Sequence, residues 1–192
     1  MAKMSVVEKL VVNSNLDYLF HKYFGISRLL KNIVASHYGS ILEVGAGIGI
    51  TTNFLANKFK NSSITAIDYD EEQIKIAKQK NLNSKVTFKQ GDATSLSFPA
   101  ESFDFCFAIL VFHHIADFPK ALSEIYRVLK SDGKFYIYDI PAKSWNPFYR
   151  WIKLGTPGIF SKEEFIKLLE QTGFKILKIE SGLRFIIECH KI

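Results

Sequence analysis

The chain has 192 residues, a net charge of +6, 47% hydrophobic and 23% charged residues, a composition that excludes intrinsic disorder and leaves room for one domain with a proper core. Lysine and arginine are scattered from end to end, so the basic excess reads as a solvated surface and argues against a nucleic-acid stripe. The longest apolar run, 105–112, falls well short of the ~18 residues that suggest a membrane span.

Residues 5–36 read as helical with an interruption at Asn13-Ser14-Asn15, because Leu16, Leu19, Phe20, Tyr23 and Phe24, then Leu29, Leu30 and Ile33, recur at helical spacing. This segment covers an edge of the core; the alternative is that Tyr18, His21 or Tyr23 lines a pocket. A first strand is expected at 40–44, a helix near 49–59, and a second strand at 62–67 ending in Asp68. Glu71 to Lys80 is a helix with an acidic first turn, which suits the positive end of its dipole. Val86-Thr87-Phe88 is a short strand leading to Gly91-Asp92-Ala93, and 103–111 is a fourth strand, apolar enough to be buried on both faces. A helix over 117–129 starts with Pro119 in its first turn, and strand five is expected at 134–140 after an Asp132-Gly133 connection. Ser161 with Glu164 is a capping-box pair for a helix reaching Thr172, closed by Gly173. Two strands, 174–180 and 183–189, turn at Ser181-Gly182. Alternating β and α predicts an α/β fold: a Rossmann-like three-layer sandwich with a mostly parallel sheet, in a single domain spanning 1–192.

Cys106 and Cys189 sit in apolar runs with no Cys-x-x-Cys partner and no histidine at ligand spacing, so they read as buried thiols of a cytoplasmic protein and no metal is expected. Glu8 and the absence of a long apolar stretch near it argue against a signal peptide. Oligomeric state stays open between monomer and homodimer.

Ligands of parallel sheets sit at the carboxyl ends of the strands, near the point where strand order reverses. Strand one ends in Gly45-Ala46-Gly47-Ile48-Gly49, strand two in Asp68-Tyr69, and strand three in Gly91-Asp92-Ala93. Glycines there let the chain turn sharply and a ligand approach closely. Asp68 suits two ribose hydroxyls, Tyr69 a flat base, and Asp92 with the Ala93 N–H the edge of an adenine. One acid alone would more readily be a helix cap or a turn residue; three at successive strand ends point to a nucleoside. The dinucleotide pattern Gly-x-Gly-x-x-Gly needs glycine where Ile50 stands. Glu43, just before the glycines, suits a cationic ligand and would sit badly beside a pyrophosphate.

Leu42-Glu43-Val44-Gly45-Ala46-Gly47-Ile48-Gly49 resembles motif I of the class I S-adenosylmethionine-dependent methyltransferases. Asp68, Gly91-Asp92-Ala93, Phe103-Asp104 and Leu129-Lys130-Ser131-Asp132-Gly133-Lys134 resemble its later motifs in order. Phe112-His113-His114-Ile115 is similar to the small-molecule, ubiquinone/menaquinone type. The resemblance covers about residues 39–140 and implies a seven-stranded sheet of order 3-2-1-4-5-7-6 with the last strand antiparallel. It implies S-adenosylmethionine as cofactor, the glycines under its methionine part, Asp68 on the ribose, Asp92 and Ala93 at the adenine, and Ile109 or Leu110 touching it through backbone.

A methyl group already activated on a sulfonium needs alignment first, and a base only where the acceptor loses a proton. His113 and His114, after strand four, are the candidates, although a histidine there can equally cap or pack the turn. Their spacing with Asp117 is a poor match to a metal site. Residues 141–160 hold Trp145, Phe148, Tyr149 and Trp151 among Lys143, Arg150 and Lys153. They read as a loop on the sheet edge, an acceptor-pocket wall or lid, a self-association patch, or a membrane-surface contact. The expected activity is methyl transfer to a small, apolar or aromatic acceptor. An RNA or DNA methyltransferase is disfavoured because Ile109-Leu110-Val111-Phe112 replaces the Asn/Asp-Pro-Pro-Tyr type of motif. A non-catalytic cofactor-binding module acting through a partner is a further alternative.

Overall fold

The architecture follows from a computed structural model that describes residues 26–31, 33, 39–81, 83–141, 158, 160–182 and 184–192. Seven strands, β1 (Ser40–Val44), β2 (Ser63–Asp68), β3 (Val86–Gln90), β4 (Phe103–Ile109), β5 (Leu129–Asp139), β6 (Phe174–Glu180) and β7 (Phe185–Lys191), form one sheet. Its order is β3-β2-β1-β4-β5-β7-β6, with β7 antiparallel to both neighbours and the other pairs parallel. The chain winds outward from β1 to β3 and crosses back to β4, so the order reverses between β1 and β4 and opens a crevice at their carboxyl ends.

Helices α1 (Ile26–Lys31), α2 (Ile50–Lys58), α3 (Glu71–Lys80), α4 (Phe118–Val128) and α5 (Lys162–Thr172) cover the sheet. The period-two alternation of the strands sends successive side chains to opposite faces. Leu42, Val44, Cys106, Ala108, Phe135 and Ile137 pack with Ala121, Leu122 and Ile125 of α4 and Phe165 and Leu169 of α5. Ile41, Phe107, Ile109, Tyr136 and Tyr138 pack on the other face with Leu29 and Leu30 of α1 and Leu55 of α2. Side chains this size contribute about 1.5–3 kcal/mol each when fully buried, and both faces hold many of them. Among the described residues no helix is long and apolar enough to cross a membrane.

Local chemistry sets the element ends. Ser161 accepts from the Glu164 N–H while Glu164 accepts from the Ser161 N–H, the expected capping box. Gly173 ends α5 at φ 107. At the amino edge of the sheet Asp104 accepts from the Ser40 N–H and hydroxyl and from Lys130 Nζ (2.8–2.9 Å), tying β1, β4 and β5 together. Partial burial would raise the Asp104 pKa, but these donors hold it below the usual carboxylate range. The Phe103-Asp104 and Lys130 motif residues therefore stabilise the end of the sheet remote from the crevice.

Several boundaries differ from the sequence expectation. Strand β7 runs 185–191 where 183–189 was expected, because its pairing with β5 reaches from Phe185 to His190. Strand β3 continues two residues past Phe88 to Gln90, which pairs with Asp68. Strand β4 stops at Ile109 and not at 111, because Leu110 takes a left-handed φ of 52 and the chain turns into a short 3-10 turn, Phe112–His114. Strand β5 begins at Leu129, five residues early. Leu129 is already extended and pairs with Phe103, and Asp132, at φ 61, and Gly133 are absorbed in a register shift within the strand. Most of the 5–36 reading, with Tyr18, His21 and Tyr23, lies outside the described residues, as do 142–157 and their tryptophans.

Candidate active site

The three glycines after β1 have positive φ, and each has a different neighbour. At Gly45 (φ 80) a Cβ would sit 2.7 Å from Val111 Cβ and collide with its Cγ2, so glycine lets the loop after β4 lie against the turn. At Gly47 (φ 52) a Cβ would meet nothing within 4 Å, which leaves open space above the backbone. At Gly49 (φ 84) a Cβ would press on the Phe88 ring at 3.0 Å, so this glycine serves helix-to-sheet packing. The Gly45 and Ala46 N–H groups both donate to the Ile67 carbonyl at 2.9 Å, which docks the turn on β2.

The acids expected at the strand ends are brought to the same edge. Asp68, buried, accepts from the Gly47 N–H through Oδ2 (2.8 Å) and from the Asp70 N–H through Oδ1 (2.9 Å). These bonds fix the side chain at the end of β2. Tyr69 beside it is half-buried, and its carbonyl accepts from the Gln90 amide. Asp92 accepts from the Thr94 N–H and hydroxyl at 2.9 and 2.8 Å; burial pushes its pKa up, but hydrogen bonds led by these two leave it below the usual carboxylate value. The loop that follows is clamped from α4: Glu124 accepts from the Leu96 N–H, and Arg127 donates to the Leu96 and Phe98 carbonyls. Ala93 and Ile109 are buried.

Glu43 departs furthest from a simple reading. It is buried, its Oε2 accepts from the Thr52 hydroxyl at 2.6 Å, and its Oε1 has no partner among the described residues. Burial lifts its pKa to about 8, against the pull of Thr52 and with a further push from Asp68. Burial therefore works against the charged form of the carboxylate that sequence reasoning placed there. A cation nearby would return it to the charged form.

On the β4 side of the crevice His113 is buried and its Nδ1 lies 2.6 Å from Asp139 Oδ1. Asp139, at the carboxyl end of β5 and 0% exposed, also accepts from the Val111 and Phe112 N–H groups through Oδ2 and from Ile140 N–H through Oδ1. His114 is less buried, with its ring centroid 4.1 Å from that of His113. The His113 carbonyl accepts from the Gly158 N–H at 3.1 Å. Sequence reasoning missed Asp139, Thr52 and Val111. An acid ending an apolar strand, as Asp68 ends β2, was the available signal for Asp139.

A cofactor of the class that the sequence resembles fits this arrangement. The orphaned Glu43 oxygen suits a cationic group, space is open over Gly47, and carboxylates stand at the ends of β2 and β3.

Comparison with known proteins bears on the same residues. A family model described as a methyltransferase domain matches residues 42–137. The chain is 31% identical to a ubiquinone/menaquinone biosynthesis C-methyltransferase (UbiE) of Rickettsia bellii, over 92% of this chain and 86% of that one. It is 30% identical to a sterol 24-C-methyltransferase of Kluyveromyces lactis, over 72% of this chain and 41% of that one. Among solved structures, a SAM-dependent methyltransferase from Aquifex aeolicus superposes with a TM-score of 0.80 at 21% identity, covering 99% of this chain and 100% of that one.

Proposed function

We propose an acceptor on one premise: the chain belongs to the methyltransferase domain family and is an S-adenosylmethionine-dependent methyltransferase acting on small molecules. The acceptor we infer is apolar or aromatic and of quinol size. The observation that carries this reading is the nearly end-to-end match to a protein named for ubiquinone/menaquinone C-methylation. A partial match to a sterol C-methyltransferase, also named for an apolar ring system, supports it. The sequence between Pro141 and Gly158 adds support, with two tryptophans, a phenylalanine and a tyrosine in a segment that rejoins the fold at the His113 carbonyl.

We assign the cofactor to the β1–β3 side of the crevice. Gly45, Ala46 and Gly47 would form the floor, with Gly49 holding that floor against β3. Glu43 would answer a positive charge, Asp68 would accept from ribose hydroxyls, Tyr69 would lie against the base, and Asp92 with the Ala93 N–H would read the adenine edge. Ile109, ending β4, would border the methyl-bearing end. The cofactor would supply an electrophilic methyl group carried on a sulfonium sulfur. The protein's part is alignment of the acceptor with that methyl group and exclusion of water. His113 or His114 would receive the proton of an acceptor that loses one.

The test is labelled methyl transfer by the full chain, with a reduced naphthohydroquinone, a simple phenol, an aliphatic amine and total RNA as acceptors. Label extracted with the hydroquinone or phenol supports the reading. Label confined to RNA or to the amine, or no transfer despite cofactor binding, overturns the acceptor class.

A further inference from the structure

We propose that Glu124 and Arg127 of α4 are positioning residues for base selectivity. They hold the loop after β3 so that Asp92 and the Ala93 N–H accept an adenine and reject a purine with oxygen in place of its exocyclic amine. The proposal rests on the cofactor assignment above and adds to it the residues that set its discrimination.

Glu124 and Arg127 lie three residues apart on α4, with side chains 21% and 37% exposed. An ion pair that open to water is ordinarily worth little. Here both side chains are spent on the backbone of another segment. Arg127 grips Glu124 with two parallel bonds, Nε to Oε1 and Nη2 to Oε2, both 2.8 Å. Glu124 Oε2 accepts from the Leu96 N–H at 2.8 Å. Arg127 Nη2 donates to the Leu96 carbonyl at 2.9 Å, and Nη1 donates to the Phe98 carbonyl at 2.8 Å. Leu96 thus has both its backbone groups held, as a neighbouring strand would hold them, although its partner is a helix. Its side chain is buried in the core shared with α4, and the Phe98 ring meets Phe103 edge-on at 5.1 Å. The bond from Arg127 holds the Glu124 carboxyl below the usual carboxylate range, so the clamp keeps its charges.

The clamp fixes one end of a short span. At the other end the Gly91 N–H donates to the Asp68 carbonyl at 2.9 Å, and Gln90 pairs with Asp68 in the sheet. Between Gly91 and Leu96 the chain folds on itself: Asp92 accepts from the Thr94 N–H and hydroxyl, and the Ser95 N–H donates to the Asp92 carbonyl at 3.0 Å. Asp92 and Ala93 are therefore held from β2 on one side and from α4 on the other. Releasing the α4 end lets this turn shift as one piece, because its internal bonds do not involve α4.

Adenine and hypoxanthine present opposite polarity at two neighbouring atoms. Adenine offers an amine N–H beside a ring-nitrogen acceptor; hypoxanthine offers a carbonyl oxygen beside a ring N–H. A carboxylate and a backbone N–H in fixed places match the first base and oppose the second at both atoms. That opposition counts only while the loop cannot recede. A loop free to shift by about 1 Å weakens both bonds to adenine and relieves both mismatches with hypoxanthine.

The experiment measures binding of S-adenosylhomocysteine and S-inosylhomocysteine to the full chain by calorimetry, the weaker ligand by displacement. The wild type should prefer the adenine ligand by on the order of 10²-fold or more. Arg127→Met removes all four guanidinium bonds and should lower that ratio by about tenfold or more, and Glu124→Ala by a similar factor. Arg127→Lys, which keeps the charge and loses the fork, should fall between. Ser161→Ala, which weakens the α5 cap, is the stability control and should keep the wild-type ratio. An unchanged ratio in the Arg127 variants, or equal losses of affinity for the two ligands, would overturn the proposal, since a clamp that serves stability alone moves the urea midpoint and leaves the ratio. If Arg127→Met fails to fold, Arg127→Lys decides by the same ratio. A wild type that binds both ligands alike, or neither, overturns the adenine assignment and the proposal together. A wild type that discriminates, with variants that discriminate equally, overturns the proposal alone.

Discussion

Replacing Glu43 by glutamine should make the protein more stable and its cofactor site weaker. The buried carboxyl has its pKa lifted by burial from 4.5 to about 8. A carboxyl raised in the fold contributes its full stability below pH 4.5, where both folded and unfolded chains hold the proton. That contribution is lost as pH rises toward 8, because the unfolded chain releases the proton first. Each pKa unit is worth about 1.36 kcal/mol, so between about pH 5.5 and pH 7.5 the wild type should lose about 2–3 kcal/mol through this group. Glutamine keeps an oxygen for the Thr52 hydroxyl and does not titrate. Urea unfolding of both proteins at the two pH values isolates the effect, since all other titrating groups are shared. The variant's lead over the wild type should grow by about 2–3 kcal/mol from the lower pH to the higher one. With S-adenosylhomocysteine the order should reverse in affinity, because a ligand ammonium gains from a carboxylate and not from an amide. Parallel pH curves for the two proteins would refute the reasoning.

Asp68→Ala removes an acceptor of the Gly47 N–H and should weaken S-adenosylhomocysteine binding by about 1–3 kcal/mol in calorimetry; unchanged affinity would take Asp68 out of the site. Gly45→Ala drives a Cβ into Val111 at a residue with φ 80 and should lower unfolding free energy by about 1–3 kcal/mol. A urea midpoint equal to wild type would show that the β4 loop can yield. Ser161→Ala loses one half of the α5 capping box and should cost about 1 kcal/mol in the same assay, with S-adenosylhomocysteine affinity unmoved.

What could be read in advance was whatever local chemistry dictates. Strand β1, helix α3 and strand β6 have the expected bounds, because glycines, an acidic first turn and a hairpin signal punctuate them. The strand-end residues 45–49, 68 and 92–93 were legible because a parallel sheet brings successive carboxyl ends together. What stayed hidden depends on partners distant in sequence. Asp139 lies 26 residues from His113, and periodicity carries no trace of that pairing. Glu43 was expected to be charged because its burial arises only when the strands on both sides of β1 and helix α2 are assembled. The Lys130-Ser131-Asp132-Gly133 stretch has the composition of a turn, yet it lies within β5, where Lys130 reaches Asp104 across the sheet.

The chain leaves the sheet at Pro141, two residues beyond Asp139, and the described structure resumes at Gly158 on the carbonyl of His113. Since Asp139 and His113 touch, departure and return are at nearly one point. A segment closed that tightly is a cassette: its length and sequence can change while the ends stay where they are, and doubling a loop costs only about 0.6 kcal/mol in closure entropy. Grafting should therefore work best when a donor segment ends in a residue without Cβ at position 158, since only that end passes between two carbonyl oxygens. On the proposed function, exchanging this one segment is expected to change the acceptor while the residues proposed for the cofactor stay in place.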